Sequence, residues 1–331
     1  MTHLLLSAVL LAALLQNQPI RVGEIEFFGY AGVDLARVRA ALPLREGDDL
    51  EMEKWEQEKA RVRQSVRQVT GSEPTDVIAT CCEARGELII YIGLSGKPVR
   101  YLPAPTGGAR LPEKVIRLYD RTDTLLQEAL RKGVGAEDRS KGYSLSVYPP
   151  LRVVQLELRA YAVGHERLLH DVLATASDGR QRAVAAEVLG YGRHTKSQVA
   201  ALATARRDAD EGVRNNATRA LVVLAGSDVN LVRRIPPESF IEMVLSGTWT
   251  DVNKAGALLA DLMRRRDPAV LAKLRTPEVL GRLIEMARWR TEHANPARYI
   301  LGRVAGIEEN RLGRLVAEKR VDEIIGALRA N

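Results

Sequence analysis

A chain of 331 residues is too long for one ordinary domain and suits two or three. Hydrophobic residues make up 46% and charged residues 27%, which excludes an intrinsically disordered chain, a collagen-like repeat and a multi-span membrane protein. Residues 1–150 hold 20 basic and 20 acidic side chains, whereas 151–331 hold 29 and 22, so the whole net charge of +7 lies in the second half.

That basic excess suits an acidic partner (an acidic protein, an anionic membrane surface or nucleic acid), although ordinary solubility explains it equally well. Aromatics are only 5%, and Ala, Leu, Val and Arg dominate, which favours helices packed through small residues over a large β-sandwich. Two cysteines and five histidines leave little material for a disulfide framework or a structural metal.

In chain order, the first segment is the apolar run from Leu4 to Leu15. A helix needs about 20 residues to span a bilayer, so this run is too short to do so and matches the core of an export signal. No Lys or Arg precedes it and no clear small-x-small site follows. Its place at the extreme N-terminus, and its abrupt end at Gln16-Asn17-Gln18-Pro19, predict a signal peptide over 1–19 and a periplasmic or secreted protein. The competing reading is a helix buried in the fold.

Residues 20–96 read as a small mixed domain. Ile20, Val22, Ile25 and Phe27 mark a strand ending at Gly29. Asp34 caps a helix carrying Leu35, Val38, Ala41 and Leu42, and Pro43 ends it. A second helix runs from about Glu51 to Val69, with Gly71 as its stop. Val77–Cys82 and Glu87–Ile92 form a hairpin around Ala84-Arg85-Gly86. Adjacent Cys81 and Cys82 point to opposite faces of that strand, one thiol inward and one outward.

The run Ile25-Glu26-Phe27-Phe28-Gly29, then Val38 to Leu42 and Pro43-Leu44-Arg45-Glu46-Gly47-Asp48, resembles a POTRA (polypeptide-transport-associated) domain. The resemblance implies an envelope module that binds client or partner polypeptides by strand addition at a sheet edge. No barrel-forming run of alternating strands follows, so it does not imply a transport pore. An unrelated small α+β module is the alternative.

Pro98, Pro103, Pro105, Gly107 and Gly108 mark 97–111 as a linker. From there to residue 331 almost every signal is helical. Pro112 to Lys132 presents Val115, Ile116, Tyr119, Leu126 and Leu130 on one face, and Gly133 to Gly142 is a loop. Pro149-Pro150 open one long helix carrying Val154, Leu158, Tyr161, Leu168 and Val172.

A repeat then emerges around the anchors Ala185, Ala217, Ala255 and Ala297. Three places on stand Val188, Ala220, Leu258 and Ile300; four places on stand Leu189, Leu221, Leu259 and Leu301. The stretch Val213-Arg214-Asn215-Asn216-Ala217-Thr218-Arg219-Ala220-Leu221 resembles a HEAT repeat, with Arg182 matching Arg214 one unit earlier and no such Arg in the last two units. That resemblance implies a solenoid with a protein-binding groove; a non-repetitive helical bundle is the alternative.

Catalytic motifs do not survive inspection. His165 and His170 are five apart, about 140° around a helix, and cannot share a metal. Gly96-Lys97 lacks the rest of a phosphate loop, with Tyr91 and Pro98 at the other two positions, and Gly93-Leu94-Ser95-Gly96 is one residue short of a nucleophile elbow. No cofactor motif is present. The strongest basic clusters are Arg264-Arg265-Arg266 and Arg288-Trp289-Arg290, candidates for gripping a partner through Arg and an exposed aromatic.

The expected fold is therefore a small α+β domain (β-α-α-β-β) followed by an all-α HEAT-like solenoid. The expected function is an exported, non-enzymatic scaffold for polypeptides in the cell envelope. The alternative is a nucleic-acid-binding solenoid that uses its basic half, a role that export argues against.

Overall fold

The computed structural model describes residues 19–80, 86–227 and 233–329. The chain forms two compact units, Met1–Ser95 and Gly96–Asn331. The Leu4–Leu15 run and the Cys81-Cys82 pair lie outside the described residues.

The first unit orders its elements as β1 (Ile20–Phe28), α1 (Leu35–Ala41), β2 (Asp49–Leu50), α2 (Trp55–Thr70), β3 (Asp76–Thr80) and β4 (Leu88–Gly93). The sheet runs β2-β1-β4-β3, with β1 parallel to β4 and the other two pairs antiparallel. Asp34 caps α1 by accepting the N–H groups of Ala36 and Arg37 at 3.0 and 3.2 Å. Val62 and Val66, one turn apart on α2, join Val38 of α1, Ile25 and Phe27 of β1, and Ile90 and Ile92 of β4 in one core. The strand β1 must end at Gly29, where φ is +67° and a Cβ would sit 1.9 Å from the Ser95 carbonyl oxygen. Among the described residues β3 pairs on one side only, with β4, and so forms an edge of the sheet.

Among its described residues the second unit is helical apart from one short pair of strands and two isolated bridges. Its elements are α3 (Glu113–Arg131), β5 (Glu137–Asp138), β6 (Leu145–Ser146), α4 (Pro149–Gly164), α5 (Glu166–Thr175), α6 (Gly179–Leu189), α7 (Lys196–Ala205), α8 (Glu211–Ser227), α9 (Pro237–Val244), α10 (Trp249–Leu262), α11 (Pro268–Leu274), α12 (Pro277–Ala287), α13 (Asn295–Val304), α14 (Glu309–Ala317) and α15 (Val321–Arg329). The second helices of successive pairs, α6, α8, α10 and α13, pack side by side in one layer. Their partners α5, α7, α9 and α12 back them. The four alanine anchors, and the leucines four places on, are all wholly buried. This is a helical-repeat solenoid, and helix dominates the molecule.

Two local expectations are corrected. The helix beginning at Pro149 breaks at Gly164 and His165, where His165 leaves helical geometry at φ −132° and ψ 28°, so it becomes α4 and α5. His165 therefore sits in the break while His170 lies within α5, and the His165 ring stacks on Tyr161 at 4.2 Å. The loop after α3 contains the β5–β6 pair.

Arg182 and Arg214 are both buried and do the same work one unit apart. Arg182 grips Asp208 with two bonds of 2.7 Å and also donates to the carbonyl of Ala176. Arg214 bonds Asp251 at 2.9 Å and the carbonyls of Asp208 and Ala209. Each satisfies the turn before its own helix and ties it to the next repeat. The unit anchored on Ala297 lacks an Arg at that place, but Arg298, from one residue past its anchor, donates to the carbonyls of Ala287 and Trp289.

The segment 97–111 lies along the helical unit as a strap. Lys97 N–H donates to the Leu245 carbonyl, Leu102 N–H to that of Arg207, and Gly107 N–H to that of Thr175, at 2.8, 2.7 and 2.8 Å. Five residues of strap thus match one step back through the repeats. Its prolines, lacking N–H groups, fall between the bonding positions. Tyr101 lies against the Arg214 guanidinium, 4.3 Å from ring centre to Cζ.

Candidate functional site

The layer of second helices carries a recess lined by polar and charged side chains. Its helices are fixed by their buried alanine and leucine stripes, and a different stripe of the same helices faces the recess: Glu187 on α6, Asn215, Asn216 and Arg219 on α8, and Lys254 on α10. Tyr119 and Leu126 of α3, Glu137 of β5, Leu151 and Gln155 of α4, and Tyr191 just beyond α6 complete a cavity of about 280 Å³.

Charges dominate its floor. Arg219 bonds Glu137 and stands 3.6 Å from Glu187, while Arg139 holds Glu137 from the other side at 2.7 Å. Burial pushes the Glu187 carboxyl up from its ordinary range, opposed by Arg219. Glu137 ends below its ordinary range because Arg219 and Arg139 together outweigh the cost of its burial. Burial pulls the Lys254 ammonium down to about 8, reinforced by the Arg219 charge. Asn216 is fixed by the Ala183 carbonyl at 3.0 Å and the Tyr119 hydroxyl at 3.3 Å.

The recess offers hydrogen-bonding groups of both signs around a partly apolar wall. Among the described residues no group of three His, Cys, Asp or Glu side chains is placed to hold a metal ion, and no helix is long and apolar enough to cross a membrane.

The arginine clusters singled out in the sequence lie elsewhere; none of their residues lines this cavity. Arg264 is exposed and pairs with Asp261 at 3.1 Å. Arg265 borders a second cavity, of about 420 Å³, with Ile235, Leu262 and Met263. Arg266 closes the turn after α10 in the left-handed region and reaches Glu309 at 3.4 Å. Arg288 and Arg290 are exposed, but Trp289 between them is 1% exposed. Its large apolar ring belongs to the core, so this cluster has no exposed aromatic to stack on a partner.

Sequence reasoning missed Glu187, Arg219 and Lys254, since charged residues on a helix read as solvated. The signal available was their recurrence two places after the anchor, or one before it, on three successive second helices.

Neither a protein-family model nor a curated protein sequence matches this chain. Among solved structures, the chain is similar to an engineered protein, at 16% identity over 66% of this chain and 89% of the other, with a TM-score of 0.40. It is similar to a designed armadillo repeat protein in complex with the peptide (KR)4, at 13% identity over 66% and 93% of the two chains, TM-score 0.39. It is also similar to computationally designed armadillo repeat proteins for modular peptide recognition, at 17% over 66% and 92%, TM-score 0.39.

Proposed function

We propose that this chain is an exported, non-enzymatic scaffold that binds polypeptide partners in the cell envelope. The observation that carries the reading is the polar recess built by three successive repeats: an open cavity with amide, hydroxyl, carboxylate and ammonium groups directed at one volume. Such a set suits an extended chain, which brings main-chain donors and acceptors together with side chains of either charge. The β3 edge, which pairs among the described residues with β4 alone, adds a second point of attachment for an incoming segment. The helix-backed mixed sheet is in keeping with the POTRA resemblance, and the apolar run at 4–15 supplies the export signal.

The test is fractionation of cells expressing the full chain with a C-terminal tag, followed by N-terminal sequencing and photo-crosslinking from Asn215 and Ile78. The expected result is envelope recovery, loss of residues 1–19, and polypeptide adducts from both positions. Cytosolic recovery with Met1 intact and no adduct from Asn215 would overturn the proposal.

A further inference from the structure

The charged floor of the recess does not balance evenly. Arg139, Arg219, Glu137 and Glu187 close on one another as two guanidiniums and two carboxylates. Lys254 is the remaining cation. It lines the same cavity, it is half-buried, and no described residue hydrogen-bonds or ion-pairs its ammonium.

Withdrawing an ammonium even partly from water without a partner costs free energy, and neighbouring side chains normally supply one. Here each nearby carboxylate is already engaged. Glu137, from β5, has two arginines, and Glu187, from α6, faces Arg219 and is driven toward its neutral form by burial. On the other elements, Arg219 of α8 repels Lys254, as does Arg139 after β5. His293, ahead of α13, is kept neutral by its own burial and by the Lys254 charge. Asp123 of α3 stands exposed at the rim. Lys254 remains a cation at neutral pH; Glu137 and Glu187 attract it without a hydrogen bond or close ion pair, and it borders a recess open to ligand.

We propose that Lys254 holds a carboxylate of the bound polypeptide, seated against the Tyr119, Leu126 and Leu151 wall of the recess. This rests on the polypeptide-binding reading above and names the group recognised. A monoanion fits better than a phosphate, because one free ammonium faces a site that already contains two carboxylates. At about 280 Å³ the cavity takes a single residue, being smaller than most sites for drug-sized ligands, which run to roughly 300–1,000 Å³. Two sources share the chemistry: a chain's C-terminal carboxylate, or an Asp or Glu side chain.

The experiment presents the full chain with random nine-residue peptides in three formats: a free C-terminus without acidic side chains, an amidated C-terminus with one internal Glu, and an amidated C-terminus with no acid. The expected result is a preference of about tenfold or more for one of the two carboxylate formats, and whichever is preferred identifies the source. K254M abolishes the preference, while K141M, which removes an exposed lysine, leaves it intact. The preference fades from about pH 7 to about pH 10 as the amine loses its proton.

A second measurement needs no variant: the rate at which acetic anhydride modifies Lys254, read by peptide mass spectrometry, falls when the preferred peptide is bound. Equal binding of all three formats, or a preference unchanged in K254M, overturns the carboxylate assignment and leaves polypeptide binding standing. Binding of none of them overturns both.

Discussion

At the scale of single residues, two arginines two places apart illustrate how burial decides the worth of an ion pair. Arg180 pairs with Asp120 at 2.6 Å in the open, whereas Arg182 holds Asp208 at 2.7 Å with both partners almost wholly covered. Replacing Arg182 with Met strands the Asp208 carboxylate in the core, and a loss of about 3–5 kcal/mol is expected in urea unfolding. R180M is expected to cost less than about 1 kcal/mol in the same measurement. Sequence periodicity places both arginines at the start of α6; only packing distinguishes the structural one from the solvated one.

His293 makes a prediction about pH. Burial, and then the Lys254 charge, hold its imidazole down to about 4 against an ordinary 6.5. The folded chain keeps the ring neutral where the unfolded chain takes up a proton. Its contribution is therefore fully present above pH 6.5 and is lost as pH falls toward 4, amounting to about 3 kcal/mol. Urea midpoints measured across that window should fall with acid, and H293Q should flatten this part of the profile.

At the scale of elements, the strap depends on Gly107. Its N–H and carbonyl bond Thr175 and Ser177, both at 2.8 Å, and an added Cβ would lie 2.5 Å from the Thr175 carbonyl oxygen. G107A is expected to lift the strap from the α5–α6 turn at a cost of about 1–3 kcal/mol, with faster hydrogen exchange at the Ser177 amide. The neighbouring G108A meets open space and should change stability by less than about 0.5 kcal/mol.

The helices themselves were legible because alanine and leucine recur at the spacing of one buried face, and Ala185, Ala217, Ala255 and Ala297 occupy that face. The break at Gly164-His165 was not, since Leu168 and Val172 continue the apolar stripe across it and periodicity registers no interruption. The strap was read as a linker because proline and glycine signal extended chain without telling whether anything lies beneath it.

At the scale of the whole molecule, the two-part division and the helical array follow from composition and repeat spacing, while the recess does not. Its floor is assembled from β5, α6, α8 and α10, so Glu137 meets Arg219 across 82 residues of sequence. The masses of the buried stripes predict which faces join; they carry no information on where charged residues from four elements converge.

The strap also gives the array a mechanical polarity. Stacked repeats touch only their neighbours, so such an array yields like a spring. Load entering through residue 95 reaches the strap first at Lys97, bonded beside Leu245, then at Leu102 and Gly107, and last at Leu111, whose N–H donates to Gln181 Oε1 at 2.8 Å. These attachments are strained in sequence, as in a peeled adhesive tape, and each yields before the next takes load. Tension between Ser95 and Asn331 in optical tweezers should therefore produce small low-force steps ahead of any unfolding of the repeats. G107A should remove one of the later steps, and traction along the chain frees the turns beside Leu245, Arg207 and Thr175 while the helices still stand.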